Sequence, residues 1–145
     1  MRTLKYSRQR ESIKEFLNSR TDHPTAITVY HNLQKIYPNI SLGTVYRNLS
    51  LLTELGEINR ISTEEGGDRF DAVTTPHNHF YCRKCHRLSD MKMENVDHVM
   101  LDATKDFSGK IESYTTLFQG ICQDCLDKTK EETKASTSEI KKKSS

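Results

Sequence analysis

Apolar side chains recur every three or four positions through the first third of this chain, and then the period changes. Ile13, Phe16 and Leu17 fall on one helical face behind Ser7, whose hydroxyl can cap the first turn. Val29, Leu33 and Ile36 follow at i, i+4 and i+7 behind Thr25, until Tyr37-Pro38-Asn39 stops the pattern. A third stripe, Val45, Leu49 and Leu52, starts behind Ser41 and ends at Gly56. Beyond it the apolar runs shorten. Residues 57–63 and 68–73 read as strands, and Glu64-Glu65-Gly66-Gly67 between them reads as a hairpin turn. Three short helices and a hairpin predict a winged helix-turn-helix, whose third helix would present its N-terminal residues to base edges in a DNA major groove.

The second half has a different pattern. Val96, Val99, Met100, Ala103 and Phe107 predict a helix over residues 94–107. Residues 110–121 alternate as a strand would, with Ile111, Ser113 and Thr115 opposite Glu112, Tyr114 and Thr116. Thr, Ser, Lys and Glu dominate residues 127–145, which have almost nothing to bury and are expected to be disordered. The expected class is α+β. A winged-helix DNA-binding domain would span 1–73, a linker carrying metal ligands 74–78, and a small α/β dimerisation and zinc-binding domain 79–126. Pro76 biases Thr75 toward an extended conformation, as a linker needs.

Composition supports two modules over one large core: 145 residues, 34% hydrophobic, 29% charged and no Trp. The net charge of +2 alone does not mark a nucleic-acid binder, but it averages a gradient. Residues 1–50 carry +5, residues 51–80 carry −4, residues 81–126 carry −1 and the tail +2. The basic excess thus coincides with the three helices. Thr44, Tyr46, Arg47 and Ser50 occupy the side of the third helix left free by its apolar stripe. An Arg can fork to a guanine edge, and an aromatic ring or Thr methyl can touch a thymine methyl. Candidate DNA contacts are therefore Lys5, Arg8, Ser41, Thr44, Tyr46 and Arg47, with Arg2 and Arg10 also available for phosphates or a minor groove. A small helical domain with a solvated face has the same periodicity. No apolar run approaches the ~20 residues of a membrane span, and none follows the basic start as a signal peptide requires. A cytoplasmic protein without membrane contact is expected.

All four cysteines fall in two C-x-x-C pairs, Cys82/Cys85 and Cys122/Cys125, separated by 36 residues. Two such turns can place four thiolates on one tetrahedral Zn2+, a closed structural site with no position for substrate. Disulfides or free thiols are the alternative, disfavoured without an export signal. Just upstream, His77 and His79 would share one face of a strand and could share a metal. His23, Asp71 and Asp90 are candidate partners, or else ordinary loop and surface residues. His31, His86 and His98 read as surface or packing residues. A zinc deaminase would need H-x-E and P-C-x-x-C; His77-Asn78-His79 lacks the Glu, and Tyr81 precedes Cys82 where Pro is required. A zinc-bound interaction module without sensing is a third class.

Taken together, His23-Pro24-Thr25-Ala26, the run from Ser41 to Leu49, Arg69-Phe70-Asp71, His77-Asn78-His79 and the two C-x-x-C pairs resemble the ferric uptake regulator (Fur) family of bacterial metal-dependent repressors. The resemblance runs from about Leu4 to Cys125 and is greatest toward the peroxide-sensing (PerR-like) members. It implies a homodimer on a palindromic operator, not an enzyme, with structural Zn2+ on the four cysteines. It also implies regulatory Fe2+ or Mn2+ on His23, Asp71, His77, His79 and Asp90. With Fe(II), peroxide would convert His23 or His77 to 2-oxo-histidine, and the repressor would release DNA. Asp71 stands where iron sensors usually have Glu, and Tyr114 where an extra metal site would place His, so no third site is assigned. Arg47 departs toward the iron sensors, whereas peroxide sensors often have Asn. An N-terminal helix common in the family is expected to be missing or very short. The alternative is an iron- or manganese-responsive repressor without peroxide sensing.

Overall fold

The computed structural model describes residues 4–75, 77–94 and 97–143; Arg2, Pro76 and Val96, invoked above, lie outside the described residues. Each of the first three helices begins at the hydroxyl expected to cap it. Ser7 accepts the Arg10 N–H at 3.3 Å ahead of α1 (Arg8–Asn18). Thr25 accepts the Thr28 N–H at 3.3 Å ahead of α2 (Ala26–Gln34), and Ser41 accepts the Thr44 N–H at 3.1 Å ahead of α3 (Leu42–Glu54). All three caps have extended backbone, which turns the side-chain oxygen onto an otherwise unpaired helical donor. Gly56, with φ of 72°, ends α3 in the left-handed conformation that favours glycine.

The apolar stripes meet where the periodicity points them. Ile13 and Leu17 of α1, Val29 and Leu33 of α2, and Val45, Leu49 and Leu52 of α3 are all buried in one core with Ile58 and Phe70. Strands β1 (Asn59–Thr63) and β2 (Gly67–Asp71) pair antiparallel from Asn59↔Asp71 to Thr63↔Gly67. Phe70 seats this wing on the helices, and its backbone N–H donates to the Pro24 carbonyl at 3.0 Å. Ile36 departs from expectation. α2 ends at Gln34, so Ile36 lies one turn past the stripe and is 64% exposed.

A second sheet follows, built from β3 (Asn78–Cys82), β4 (Leu88–Met91) and β5 (Leu117–Gly120) in the order β4-β3-β5. β3 runs antiparallel to β4 and parallel to β5. A parallel neighbour needs a crossover, and the segment containing α4 (Asp97–Thr104) supplies it. The helix expected over 94–107 is thus shorter. So is the strand expected over 110–121: only Leu117–Gly120 joins the sheet. Ser113 and Thr115 alternate with other polar residues, so the period-2 pattern there had no apolar face to bury.

The expected disordered tail needs correction. Residues from Gln123 onward form α5 (Gln123–Lys143). Low apolar content denies this segment a core, but Lys, Glu, Gln and Ala are good helix formers. Its first turn contains buried Cys125, and the Thr129 hydroxyl donates to the Cys125 carbonyl at 2.9 Å while accepting from Lys84 Nζ at 2.7 Å. Among the described residues, no helix is long and apolar enough to cross a membrane.

Candidate metal centres and DNA-reading face

The parallel pairing of β3 with β5 ends at Cys82↔Gly120, which brings the second C-x-x-C beside the first. Sγ of Cys82 lies 3.8 Å from Sγ of Cys125, and Cys85 lies 3.7 Å from Cys122. A tetrahedron with metal–sulfur bonds of ~2.3 Å has edges of ~3.8 Å, whereas a disulfide would put two sulfurs ~2.05 Å apart. All four cysteines are free, and their donor chemistry and spacing fit Zn2+. Burial alone would push the Cys82 thiol up. Backbone N–H groups of Cys85 and Cys122, 3.5 Å and 3.4 Å from its sulfur, instead bring it down to about 6. Cys125 moves the other way, to about 12, held there by neighbouring thiols and burial.

Five further side chains converge between the two halves. His23 comes from the loop before α2, Asp71 from the end of β2, His77 from the residue just before β3, His79 from β3, and Asp90 from β4, opposite His79 in the pairing. One ligand atom from each lies within 4.8 Å of all the others. Nε2 of His23 is 3.2 Å from Asp71 Oδ2 and 2.9 Å from Asp90 Oδ1. The corresponding distances are 2.8 and 3.2 Å for His77, and 3.3 and 3.4 Å for His79. Around an ion with ligands at ~2.1 Å, adjacent octahedral positions are ~3 Å apart, so these spacings are those of ligands sharing one centre.

Hydrogen bonding leads to the same reading. His23 is 3% exposed, yet among the described residues neither of its ring nitrogens has a hydrogen-bond partner, and Nε2 of His77 has none either. Their distances to the carboxylates are short, yet no hydrogen bond forms. Unpaired buried polar atoms are costly, and one divalent cation would satisfy Nε2 of both His23 and His77; Nδ1 of His23, on the other side of its ring, would stay outside its reach. Three imidazoles and two carboxylates without thiolate fit Fe2+ or Mn2+.

The charges are mutually adjusted. Burial opposes the charged form of His23, but Asp71 and Asp90 outweigh it and leave its pKa raised. His77 is raised against burial in the same way, by the Thr75 carbonyl at 2.7 Å and the same two carboxylates. His79 is lowered, by burial first and then by its histidine neighbours, despite Asp71. Asp71, buried but with the His23 imidazole 3.2 Å away and hydrogen-bonded by the Val73 N–H at 2.9 Å, falls well below the usual carboxylate range.

The helical face shows mixed placement. Tyr46 and Arg47 are exposed on α3, and Arg47 donates to Thr44 Oγ1 at 3.2 Å. Thr44 Oγ1 also meets the Ser41 hydroxyl at 2.8 Å, so three candidate contacts, the cap Ser41, Thr44 and Arg47, form one polar cluster at the start of α3. Lys5 and Arg8 are exposed; Arg10 is tied back to the Lys5 carbonyl at 2.7 Å. Ser50, expected on the free face, accepts from Arg60 of β1 at 3.0 Å. Sequence reasoning passed over Arg60, although an Arg in the strand that follows α3 was the available signal. His31, His86 and His98 are all exposed, and Nδ1 of His86 lies 2.6 Å from the Tyr81 hydroxyl.

Residues 1–118 match the family described as the Ferric uptake regulator family. The chain is 33% identical over 120 residues to the peroxide operon regulator of Bacillus subtilis, with 83% of each chain covered. It is 32% identical over 120 residues to the peroxide-responsive repressor PerR of Staphylococcus saprophyticus, covering 83% of this chain and 81% of that one. Among solved structures, the Campylobacter jejuni peroxide stress regulator is similar, with a TM-score of 0.70, 26% identity, and 81% and 88% of the two chains covered. The Helicobacter pylori ferric uptake regulator has a TM-score of 0.76 at 23% identity, covering 85% and 83%, and speaks for the fold alone.

Proposed function

Because the chain belongs to the ferric uptake regulator family, we propose that it is a cytoplasmic, metal-dependent transcriptional repressor that senses peroxide through oxidation of a ligand histidine. The observation that carries this reading is the five-residue cluster drawn from both halves. His23 and Asp71 are anchored to the helical core through α2 and β2, whereas His77, His79 and Asp90 belong to the second sheet. One ion held by all five ties the two halves together. In a homodimer, that linkage sets the spacing of two α3 helices on a palindromic operator.

His23, Asp71, His77, His79 and Asp90 hold the regulatory ion, and the four cysteines hold structural Zn2+. Bound Fe(II) supplies the one-electron reduction of peroxide that generates a hydroxyl radical, which Mn(II) does not. The chain places the His23 and His77 rings beside that chemistry. The Thr75 carbonyl fixes the His77 ring so that Nε2 faces the site. Converting either imidazole to 2-oxo-histidine removes a ligand from one half, and the orientation that fits DNA is lost. Ser41, Thr44, Tyr46 and Arg47 on α3 meet bases or backbone, with Lys5 and Arg8 on phosphates. No enzymatic turnover is part of this reading. Similarity to the Bacillus subtilis peroxide operon regulator supports the sensing chemistry.

Operator binding of the Fe(II) and Mn(II) forms, before and after peroxide, tests the proposal. The Fe(II) form is expected to lose the operator and to gain one oxygen on a peptide containing His23 or His77, while the Mn(II) form stays bound and unmodified. An Fe(II) form that stays bound with every histidine unmodified would identify an iron- or manganese-responsive repressor instead.

A further inference from the structure

Two non-glycine residues in the described chain have left-handed backbone, His23 with φ of 53° and His86 with φ of 62°. Such residues do not hold that conformation by their own preference; surrounding contacts must impose it. Here a single side chain contacts both. Arg69 donates through Nε to the His23 carbonyl at 2.6 Å and through Nη1 to the His86 carbonyl at 3.1 Å. Its Nη2 donates to the Asp22 carbonyl at 3.3 Å. A planar guanidinium offers five N–H donors in a fixed fork, so it can hold three carbonyls in one geometry, which a lysine ammonium cannot.

The two held residues belong to different metal centres. His23 is a ligand of the five-residue cluster. His86 closes the first cysteine turn, its N–H donating to the Cys82 carbonyl at 2.8 Å and its ring meeting the buried Tyr81 hydroxyl at 2.6 Å. Arg69 itself is fixed at the backbone, bridged to Thr25 and followed by Phe70 in the core. The resulting path runs from the Cys82 carbonyl through the His86 backbone and the Arg69 fork to the backbone of His23.

We propose that Arg69 is a positioning residue that couples the four-cysteine turn to the regulatory metal site by gripping the carbonyls of His86 and His23 together. This rests on the regulatory-site reading above. It gives the zinc centre a role in tuning metal sensing as well as in holding the second sheet. Arg69 touches neither ion and acts only through the orientation of His23.

The test uses the full zinc-loaded chain as wild type, Arg69→Gln and Arg69→Lys. Mn(II) affinity is measured from the electron paramagnetic resonance signal of free Mn(II), zinc content by metal analysis, and backbone exchange by mass spectrometry. Both variants are expected to keep zinc and to bind Mn(II) about 10–100-fold more weakly, the usual cost of losing a partner that orients a ligand. In wild type, Mn(II) should slow amide exchange across residues 83–87, and in Arg69→Gln that remote slowing should vanish even at saturating Mn(II). Should Arg69→Gln fail to fold, Arg69→Lys carries both measurements. Affinity within twofold of wild type in a folded variant, or slowing that persists without the fork, overturns the coupling. A wild-type chain that takes up no Mn(II) overturns the regulatory-site reading itself.

Discussion

Nδ1 of His77 donates to the carbonyl of Thr75 across 2.7 Å, which leaves Nε2 as the lone-pair nitrogen, 2.8 Å from Asp71 Oδ2. A carbonyl can only accept, so this contact selects the tautomer, and a ligand pre-set in this way costs less to recruit. His77→Ala should therefore weaken Mn(II) binding by at least ~10-fold while leaving zinc content unchanged. Equal Mn(II) affinity in calorimetry would remove His77 from the ligand set.

Acidity should compete with the regulatory ion. Imidazoles bind metal only when neutral, and in the metal-free site the pKa values of His23 and His77 are raised by Asp71 and Asp90 against the effect of burial. Proton competition then begins above the ordinary imidazole value of 6.5. Apparent Mn(II) affinity should fall by up to ~10-fold per pH unit for each proton displaced. The same raised values favour the metal-free fold below pH 6.5, and that contribution fades as pH rises through the folded-state values. Calorimetry in buffers of different ionisation enthalpy measures the released protons; zero release between pH 6 and 8 contradicts the assignment.

The cysteine centre should behave as scaffolding. Cys125→Ser removes one thiolate from a closed set and exposes a buried position in the first turn of α5. Loss of zinc and a clearly lower melting temperature are expected, because structural zinc contributes directly to folding. Full zinc retention by the variant would show that the four sulfurs do not act together.

Association should depend on the outer face of the second half. Leu101, Phe107 and Phe118 are 67%, 54% and 40% exposed, apolar side chains that a second copy would cover. Leu101→Lys should shift the protein toward monomer in light scattering and weaken operator binding. A variant that remains dimeric would exclude this surface as the interface.

In the helical core, Leu49→Ala removes a side chain with no solvent exposure. A loss of about 2–5 kcal/mol is expected from denaturant unfolding. A cost below ~1 kcal/mol would mean that the pocket collapses around the smaller residue.

The helical half was legible because its signals are local. Caps at Ser7, Thr25 and Ser41 and stripes such as Val45, Leu49 and Leu52 depend on neighbours within two turns. Ile36 misled because periodicity does not reveal where a stripe loses its partner. Strand β5 was overextended because period-2 alternation among Ser and Thr carries no burial energy, and α5 was missed because a helix needs no core. The cysteines stood out by spacing. His23, Asp71 and Asp90 are scattered over 68 positions and look like ordinary surface residues until the wing and the second sheet bring them together. Arg69 was visible only as part of a motif; its reach to two carbonyls depends on backbone conformations that the sequence does not advertise.

Asp90 is the one strongly exposed member of the regulatory cluster, with a side chain 52% accessible beside buried His23, Asp71 and His79. The cluster is therefore closed at His23, Asp71 and His79, open at Asp90 and partly open at His77. Under the sensing proposal, an oxidant or a competing ion would meet the site first at Asp90 and then at the edge of the His77 ring. That approach would lie on the second sheet's side of the cluster, leaving the helical half to feel the change only through His23 and Asp71.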